Sequence, residues 1–390
     1  MFSASGWRLA AYFAAMFAAV GLLAPYWPVY LKHRGLSATE IGLALSAGLW
    51  IKVLLNPLLA QWADRRGLRR QPMVVLALIV LAGYLLAPLA EGFVQLMLLS
   101  ALCSVAFSAI MPLGESAVLA ETYARGYNYG RLRLWGSLAF IATSWAGGLY
   151  LADLGAGAVV WGAIGLVSLA VLACALLPIR IEGGSRADGR APLLRLLGMP
   201  VFVLFMLTAS CLQASHAMLY GFGTLHWRAS GISDGMIGFL WAEGVIAEIV
   251  LFFAGAALLS RVGVAGLLML GAAAGMIRWT AFGFSNELWL LLTLQGLHAF
   301  TFGATHLGAM HFIARAVPPA WSASAQSLYT AVSGGLIMGL ATALAGPLYA
   351  ATGGRAFLMS AVLSAIGLGL ALLLARLWHG GRLDREDDRV

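Results

Sequence analysis

Tyr129-Gly130-Arg131-Leu132-Arg133-Leu134-Trp135-Gly136-Ser137 opens an apolar run that continues to about residue 152. Roughly 20 such residues cross a bilayer as a helix, and this run carries Arg133 in with it. A charge at bilayer depth costs at least about 2.5–3.5 kcal/mol on the insertion scale, so a chain that keeps one has a use for it. Lys52, Glu115, Glu243, Glu248 and Arg278 likewise lie inside or at the mouth of apolar runs. Together these six charges balance in sign and can partly neutralise one another in a shared polar cavity, the pattern expected of a solute transporter. His216, His298, His306 and His311 fall in similar segments and offer groups that change charge near neutral pH.

Composition agrees with this reading. The 390 residues are 61% hydrophobic and only 10% charged, with a mean hydropathy of +0.88, outside the range of a soluble domain. Apolar runs predict about twelve spans, near 7–31, 38–63, 72–90, 94–120, 131–152, 156–178, 198–225, 236–259, 264–284, 287–314, 322–351 and 355–378. Of the 24 basic residues, Lys32, Arg34, Arg228 and Arg355 fall in loops on one side, Lys52, Arg133 and Arg278 lie at membrane depth, and the rest lie on the other side. By the positive-inside rule both termini are expected in the cytoplasm. A multi-pass protein of a bacterial inner membrane is the expected location, with no cleavable leader before the first span. The net charge of +8 is accounted for by topology and lipid headgroups, with no nucleic acid as partner. Cys103, Cys174 and Cys211 show no pairing pattern and read as packing residues, and the histidine spacing offers no metal site.

Two internal echoes organise the chain. Asp64-Arg65-Arg66-Gly67 recurs as Ser260-Arg261-Val262-Gly263, and Gly147-Gly148-Leu149-Tyr150 as Gly346-Pro347-Leu348-Tyr349, at nearly the same offset. Two parallel six-helix halves are expected: 1–178 and 198–378, joined by a polar linker 179–197 and followed by a tail 379–390. Ser37 and Glu40 read as a capping box opening the second helix.

Asp64-Arg65-Arg66-Gly67-Leu68-Arg69-Arg70 resembles the turn between helices two and three of the major facilitator superfamily. That resemblance implies gating roles for Asp64, Arg65, Gly67 and Arg69, against the plainer reading of a basic turn that only sets topology. The stretch 129–137 resembles the start of helix five in lactose-permease-like proton symporters, and within that superfamily the phenylpropionate permease group. In the lactose-permease-like symporters a Glu 18 residues earlier pairs with the second Arg, and here residue 115 is Glu. Pro25-Tyr26-Trp27-Pro28, Leu240-Trp241, Ile277-Arg278-Trp279 and Leu297-His298 extend the likeness over nearly the whole chain. It implies an all-α polytopic fold of twelve transmembrane helices in two six-helix halves, and transport without catalytic residues or cofactor, driven by a proton gradient.

Departures from the symporter pattern shape the expected site. Arg278 and His298 keep the family's separation of 20, but Thr301 replaces the helix-ten Glu, and Val245 stands where a helix-eight Glu would be. Glu248, about one turn further on near the same face, becomes the candidate coupling carboxylate, with Arg278 as its partner and His298 as a possible relay. A carboxyl whose proton affinity depends on burial and on a neighbouring cation can be switched by opening to water or by moving that cation. The alternative is a static Glu/Arg pair. Glu115 and Arg133 read as a substrate clamp or an interhelical ion pair. Phe140, where sugar permeases have Trp, offers a flat apolar face without an indole N–H. Lys52 adds positive potential for an anion or neutralises a fixed carboxylate. Trp241 and Trp279 stack on an aromatic substrate or fill core. The expectation is thus a monomeric proton symporter of a small organic anion, an aromatic carboxylate above all. A sugar or nucleoside symporter and a drug/proton antiporter stand as alternatives.

Overall fold

The computed structural model describes residues 3–66, 70–178 and 193–383, without the side chains of 60–66. Asp64, Arg65, Gly67 and Arg69, on which the gating expectation falls, therefore lie outside what is described. Six helices form the first half: α1 Ala4–His33, α2 Ala38–Arg66, α3 Arg70–Leu86, α4 Gly92–Arg125, α5 Tyr129–Leu154 and α6 Val159–Leu176.

The second half repeats that count. Its helices are α7 Pro200–Ala229, α8 234–262, α9 264–284, α10 288–316, α11 322–352 and α12 Phe357–Leu377. Eight stretches qualify as spans on length and hydropathy alone. Two of these, Asp234–Phe284 and Pro319–Leu377, are far too long for one crossing: 51 residues at 1.5 Å each reach roughly 76 Å, against a hydrocarbon core of about 30 Å. Each is broken by a glycine at positive φ, Gly263 at 69° and Gly353 at 58°, a region open to glycine and strained for other residues. The remaining two, α5 and α10, carry Arg131, Arg133 and Asp153, and His298, His306 and His311. Twelve helices and no strand among the described residues match the expected class.

Helix ends follow local chemistry rather than hydropathy. Ser37 and Glu40 form the expected capping box, Ser37 N–H donating to Glu40 Oε2 at 2.8 Å and Glu40 N–H to Ser37 Oγ at 3.3 Å. The fourth span was expected to stop near residue 120, where polarity rises, yet α4 continues to Arg125. Backbone hydrogen bonding does not end where the lipid does. The extra turn is supported by a Glu121–Arg125 pair at 2.6 Å and closed by Gly126 at φ 68°.

Two compact units result: Met1–Arg186 with Tyr220–Ala242, and Ala187–Leu219 with Glu243–Val390. In the first, α1 packs against α5 and α6, and α4 against α2 and α3. The first unit thus also takes in 220–242, a stretch lying within the second of the two expected halves. It rests on α5 through glycines: a Cβ at Gly148 would overlap the Asp234 carbonyl oxygen, and one at Gly238 the Ser144 carbonyl oxygen. Tyr26 O–H donates to that same Ser144 oxygen at 2.9 Å. Lipid tails are as apolar as leucine, so such close backbone approach and polar bonding, rather than a hydrophobic force, hold helices together. In the second unit α12 and α11 pack against α7, around Phe205 stacked on Phe312 at 4.0 Å between centroids, with Trp378 at 4.6 Å from Phe312.

Candidate functional site

Three helices of the second half lose regular geometry at one place each: π turns occur at Leu219–Gly223 in α7, Ala299–Ala304 in α10 and Val332–Ile337 in α11. Among the described residues α1–α6 have none. A π turn adds a residue to the helical circuit, re-aims the side chains that follow, and often marks a functional site. His216 precedes the first such turn and Thr301 sits within the second. The two side chains bond to each other, and Thr301 bonds in turn to Arg278.

Arg278 projects from α9 with no exposed surface. Its Nη1 donates to Thr301 Oγ1 at 2.9 Å and lies 3.3 Å from His298 Nδ1, while Nη2 donates to Gln295 Oε1. The guanidinium plane also covers an aromatic floor, with Cζ 4.5 Å from the Trp279 ring centre and 5.6 Å from that of Phe282, contacts typically worth about 0.5–2 kcal/mol each. Trp279 is itself anchored, its indole N–H reaching Ser215 Oγ at 3.2 Å.

The network has a defined sense. An arginine has only donors to offer, so His298 Nδ1 accepts, which places the neutral ring's proton on Nε2. That atom faces Glu248 Oε2 at 3.9 Å. On the other branch, His216 Nδ1 lies 3.2 and 3.3 Å from the Leu212 and Gln213 carbonyls. Carbonyls only accept, so Nδ1 carries the proton, and Nε2 accepts from Thr301 Oγ1 at 3.2 Å. The two histidines thus hold opposite tautomers with ring centres 5.7 Å apart. Phe302 stacks on His298 and on His306, at 5.3 and 6.0 Å. Glu243 has a buried Oε2 with no hydrogen-bond partner among the described residues.

Arg278, His298, Glu248 and Trp279, all expected from sequence, come together here, with Glu248 Oε2 3.9 Å from His298 Nε2. Gln295, Thr301 and Ser215 were not anticipated as partners. The donor demand of a buried guanidinium was the available signal, since such a group requires several acceptors and these lie on the adjoining helices.

The first unit arranges its charges differently. The Glu115–Arg133 pair implied by the resemblance is not formed. Tyr129, four residues before Arg133 on α5, donates its O–H to Glu115 Oε1. Arg133 instead lies over aromatic rings of α1, with Cζ 3.9 Å from the Phe17 centre and 5.6 Å from that of Phe13. Sequence reading passed over Tyr129 and Phe17 because neither carries a charge. Phe140 is half-buried on α5. Lys52 is half-buried on α2 and forms no ion pair with a described residue of this unit; one turn on, Asn56 bonds to Ser108 of α4 at 3.0 Å. Trp241 lies in the first unit's stretch of α8, donating to Thr224 Oγ1 at 3.0 Å and facing Tyr220.

Comparison with known proteins agrees with this architecture. A family model described as "MFS_1 like family" matches residues 6–359. The chain is 30% identical over 367 residues to a probable 3-phenylpropionic acid transporter of Escherichia coli K12, covering 92% of this chain and 94% of that one. It is also 30% identical over 380 residues to a maltose permease of Geobacillus stearothermophilus, covering 94% and 93%. A crystal structure of the nucleoside transporter NupG, a D323A mutant, superposes with a TM-score of 0.85 at 18% identity over 95% of this chain and 99% of that chain. Twelve helices, charges held at membrane depth and these likenesses lead to one conclusion: the chain belongs to the MFS_1-like family and is a multi-pass membrane transporter of the major facilitator fold, not an enzyme.

Proposed function

We propose that this transporter imports a small aromatic carboxylate of the phenylpropionate kind together with protons. The observation that carries the reading is Arg278: a fully buried guanidinium over Trp279, bounded by His298 and Glu248. A buried cation attracts a carboxylate, an indole floor suits a flat ring, and a histidine beside a carboxylate can take up and release protons. Likeness to a probable 3-phenylpropionic acid transporter supports the substrate class.

In this reading Glu248, Arg278 and His298 couple the proton, Trp279 and Phe140 favour an aromatic ring, and Lys52 and Arg133 raise the positive potential. Asp64, Arg65, Gly67 and Arg69 gate the cytoplasmic end. The protein works as a monomer in a bacterial inner membrane with both termini cytoplasmic. No cofactor takes part, and its two six-helix halves rock in alternating access around the site.

The test is uptake of labelled 3-phenylpropionate into proteoliposomes, with an imposed inward proton gradient and with it collapsed, for the wild type and Glu248→Gln. Accumulation driven by the gradient, lost in Glu248→Gln while exchange persists, is the expected result. No uptake by a protein that moves protons with another solute rejects the substrate class. A sugar reading has one specific support, equal identity to a maltose permease. Labelled maltose belongs in the same assay.

A further inference from the structure

Thr301 and His216 have no part in the proposal above, and the polarity of their hydrogen bonds gives them one. We infer that Thr301 and His216 are positioning residues: they hold Arg278 Nη1 against His298 Nδ1, so that a second proton on His298 and the arginine's hydrogen bond exclude each other. Proton entry then frees the guanidinium for a carboxylate. This rests on the reading of the cluster as the coupling site for an organic anion.

The argument begins with the single proton on Thr301 Oγ1. It is committed to His216 Nε2, because His216 Nδ1 already carries a proton directed at the Leu212 and Gln213 carbonyls. Thr301 can therefore only accept from Arg278, at 2.9 Å. The π turn Ala299–Ala304 carries Thr301 and begins immediately after His298, so one short segment presents both acceptors of Nη1. A free threonine hydroxyl could rotate and offer its proton; this one is held as a fixed acceptor by His216.

A proton arriving at His298 must land on Nδ1, since Nε2 already holds one. The ring then has an N–H at each nitrogen and a positive charge. Two N–H groups face each other across the 3.3 Å gap, and two cations are adjacent. The Nη1–H has to leave. On the far side of the ring the Nε2–H still points at Glu248 Oε2, 3.9 Å away, where a carboxylate balances the new charge. One proton enters, one N–H bond forms, one hydrogen bond is lost, and no other bond changes.

The charged and titratable groups around His298 are Arg278 from α9, His216 from α7, Glu248 from α8, and His306 of α10 through Phe302, with Glu243 of α8 one residue before Gly244, whose Cα faces the His298 ring. Glu243, with its buried and unbonded Oε2, is an acceptor for the released N–H when no substrate is present. A substrate carboxylate competes for the same donor. His298 thereby couples proton occupancy to anion affinity by donor geometry, without a direct contact between proton and substrate.

Two measurements test this. In reconstituted wild type at pH 8 without ligand, ¹⁵N-histidine NMR, assigned with His298→Asn and His216→Asn, should show His298 protonated on Nε2 and His216 on Nδ1. Uptake is then followed against pH for Thr301→Val and Thr301→Ser. Losing one charged hydrogen bond to Arg278 loosens its hold on His298, so in Thr301→Val the midpoint of gradient-driven uptake should move up by about one pH unit. Thr301→Ser should restore the wild-type profile.

His298 found with its proton on Nδ1, or a Thr301→Val profile that falls in height without moving along the pH axis, overturns the inference. Should Thr301→Val not fold, the wild-type spectrum alone decides. The expected tautomers in a protein that takes up no aromatic acid reject the substrate reading and leave the device standing. Aromatic-acid uptake with the opposite tautomer rejects the device and leaves the substrate reading.

Discussion

Arg278 in the second unit and Arg133 in the first are both arginines within membrane-crossing helices, and the protein holds them in contrasting ways. Arg278 is fixed by directional bonds to Gln295, Thr301 and His298 and is wholly buried. Arg133 is half-buried and lies on Phe17 and Phe13, whose faces attract a cation without fixing its rotation. The acid nearest in expectation, Glu115, is engaged by Tyr129 instead. A cation held by a polar network is set in one geometry and changes state only when the network does. A cation resting on rings can turn toward whatever enters. On the function proposed above, coupling falls to the first kind and adaptable recognition to the second.

The largest expected effect tests that contrast directly. Arg278→Gln removes the guanidinium at the centre of a buried network and leaves its acceptors unmatched. A loss of about 100-fold in driven uptake is expected, from a cost on the order of 3 kcal/mol; an effect under about 5-fold would show that the network is structural. Arg278→Lys should recover little, because an ammonium cannot reproduce the planar fork that reaches three acceptors.

Next in size, Gly238→Val places a side chain against the Ser144 carbonyl and the Tyr26 hydroxyl. The helices must separate at a cost of about 1–3 kcal/mol, as overpacking usually does, read as a lower melting temperature in detergent. An unchanged melting temperature would mean that α8 does not rest on α5 there.

Tyr129→Phe sharpens the comparison from the other side. Glu115 loses its hydrogen-bond donor, and the free carboxylate should draw Arg133 off Phe17 into the ion pair that the sequence suggested. Loss of the phenol bond costs about 1 kcal/mol, and disulfide trapping or distance measurements between α4 and α5 should register the new pair. The smallest effect is expected for Arg133→Lys, which keeps the charge and weakens the ring contact by about 0.5–1 kcal/mol. Affinity for substrate should fall no more than about 5-fold, against the much larger loss at Arg278→Lys.

Much of the fold was legible in the sequence because the bilayer dictates it. A span needs about 20 apolar residues, and the run lengths near 236–259 and 264–284 anticipated a break that Gly263 makes. The C-terminal charged residues were legible for a related reason: Arg278, His298 and Glu248 are too costly in lipid to be incidental. What was not legible depends on side chains meeting across helices. Hydropathy does not register Tyr129, Thr301 or Gln295, since each is neutral, yet these decide where the charges go. The π turns carry no compositional mark, because one extra residue per circuit leaves the apolar pattern nearly intact. The end of α4 was missed since hydrogen bonding of the backbone continues past the apolar run through Glu121 and Arg125.

Gly263 joins α8 to α9 through a single residue of left-handed backbone, and this bears on biosynthesis. With no loop between them, the two helices leave the ribosome too closely spaced for one to settle in the membrane before the other appears. Entry as a hairpin is the expected outcome, testable by following insertion of α8 and α9 separately and together. Arg278, which alone adds about 2.5–3.5 kcal/mol to the cost of inserting α9, then travels beside Glu243 and Glu248 of its own partner helix. The short turn lets a chain that must carry a guanidinium into lipid deliver its neutralising acids in the same step.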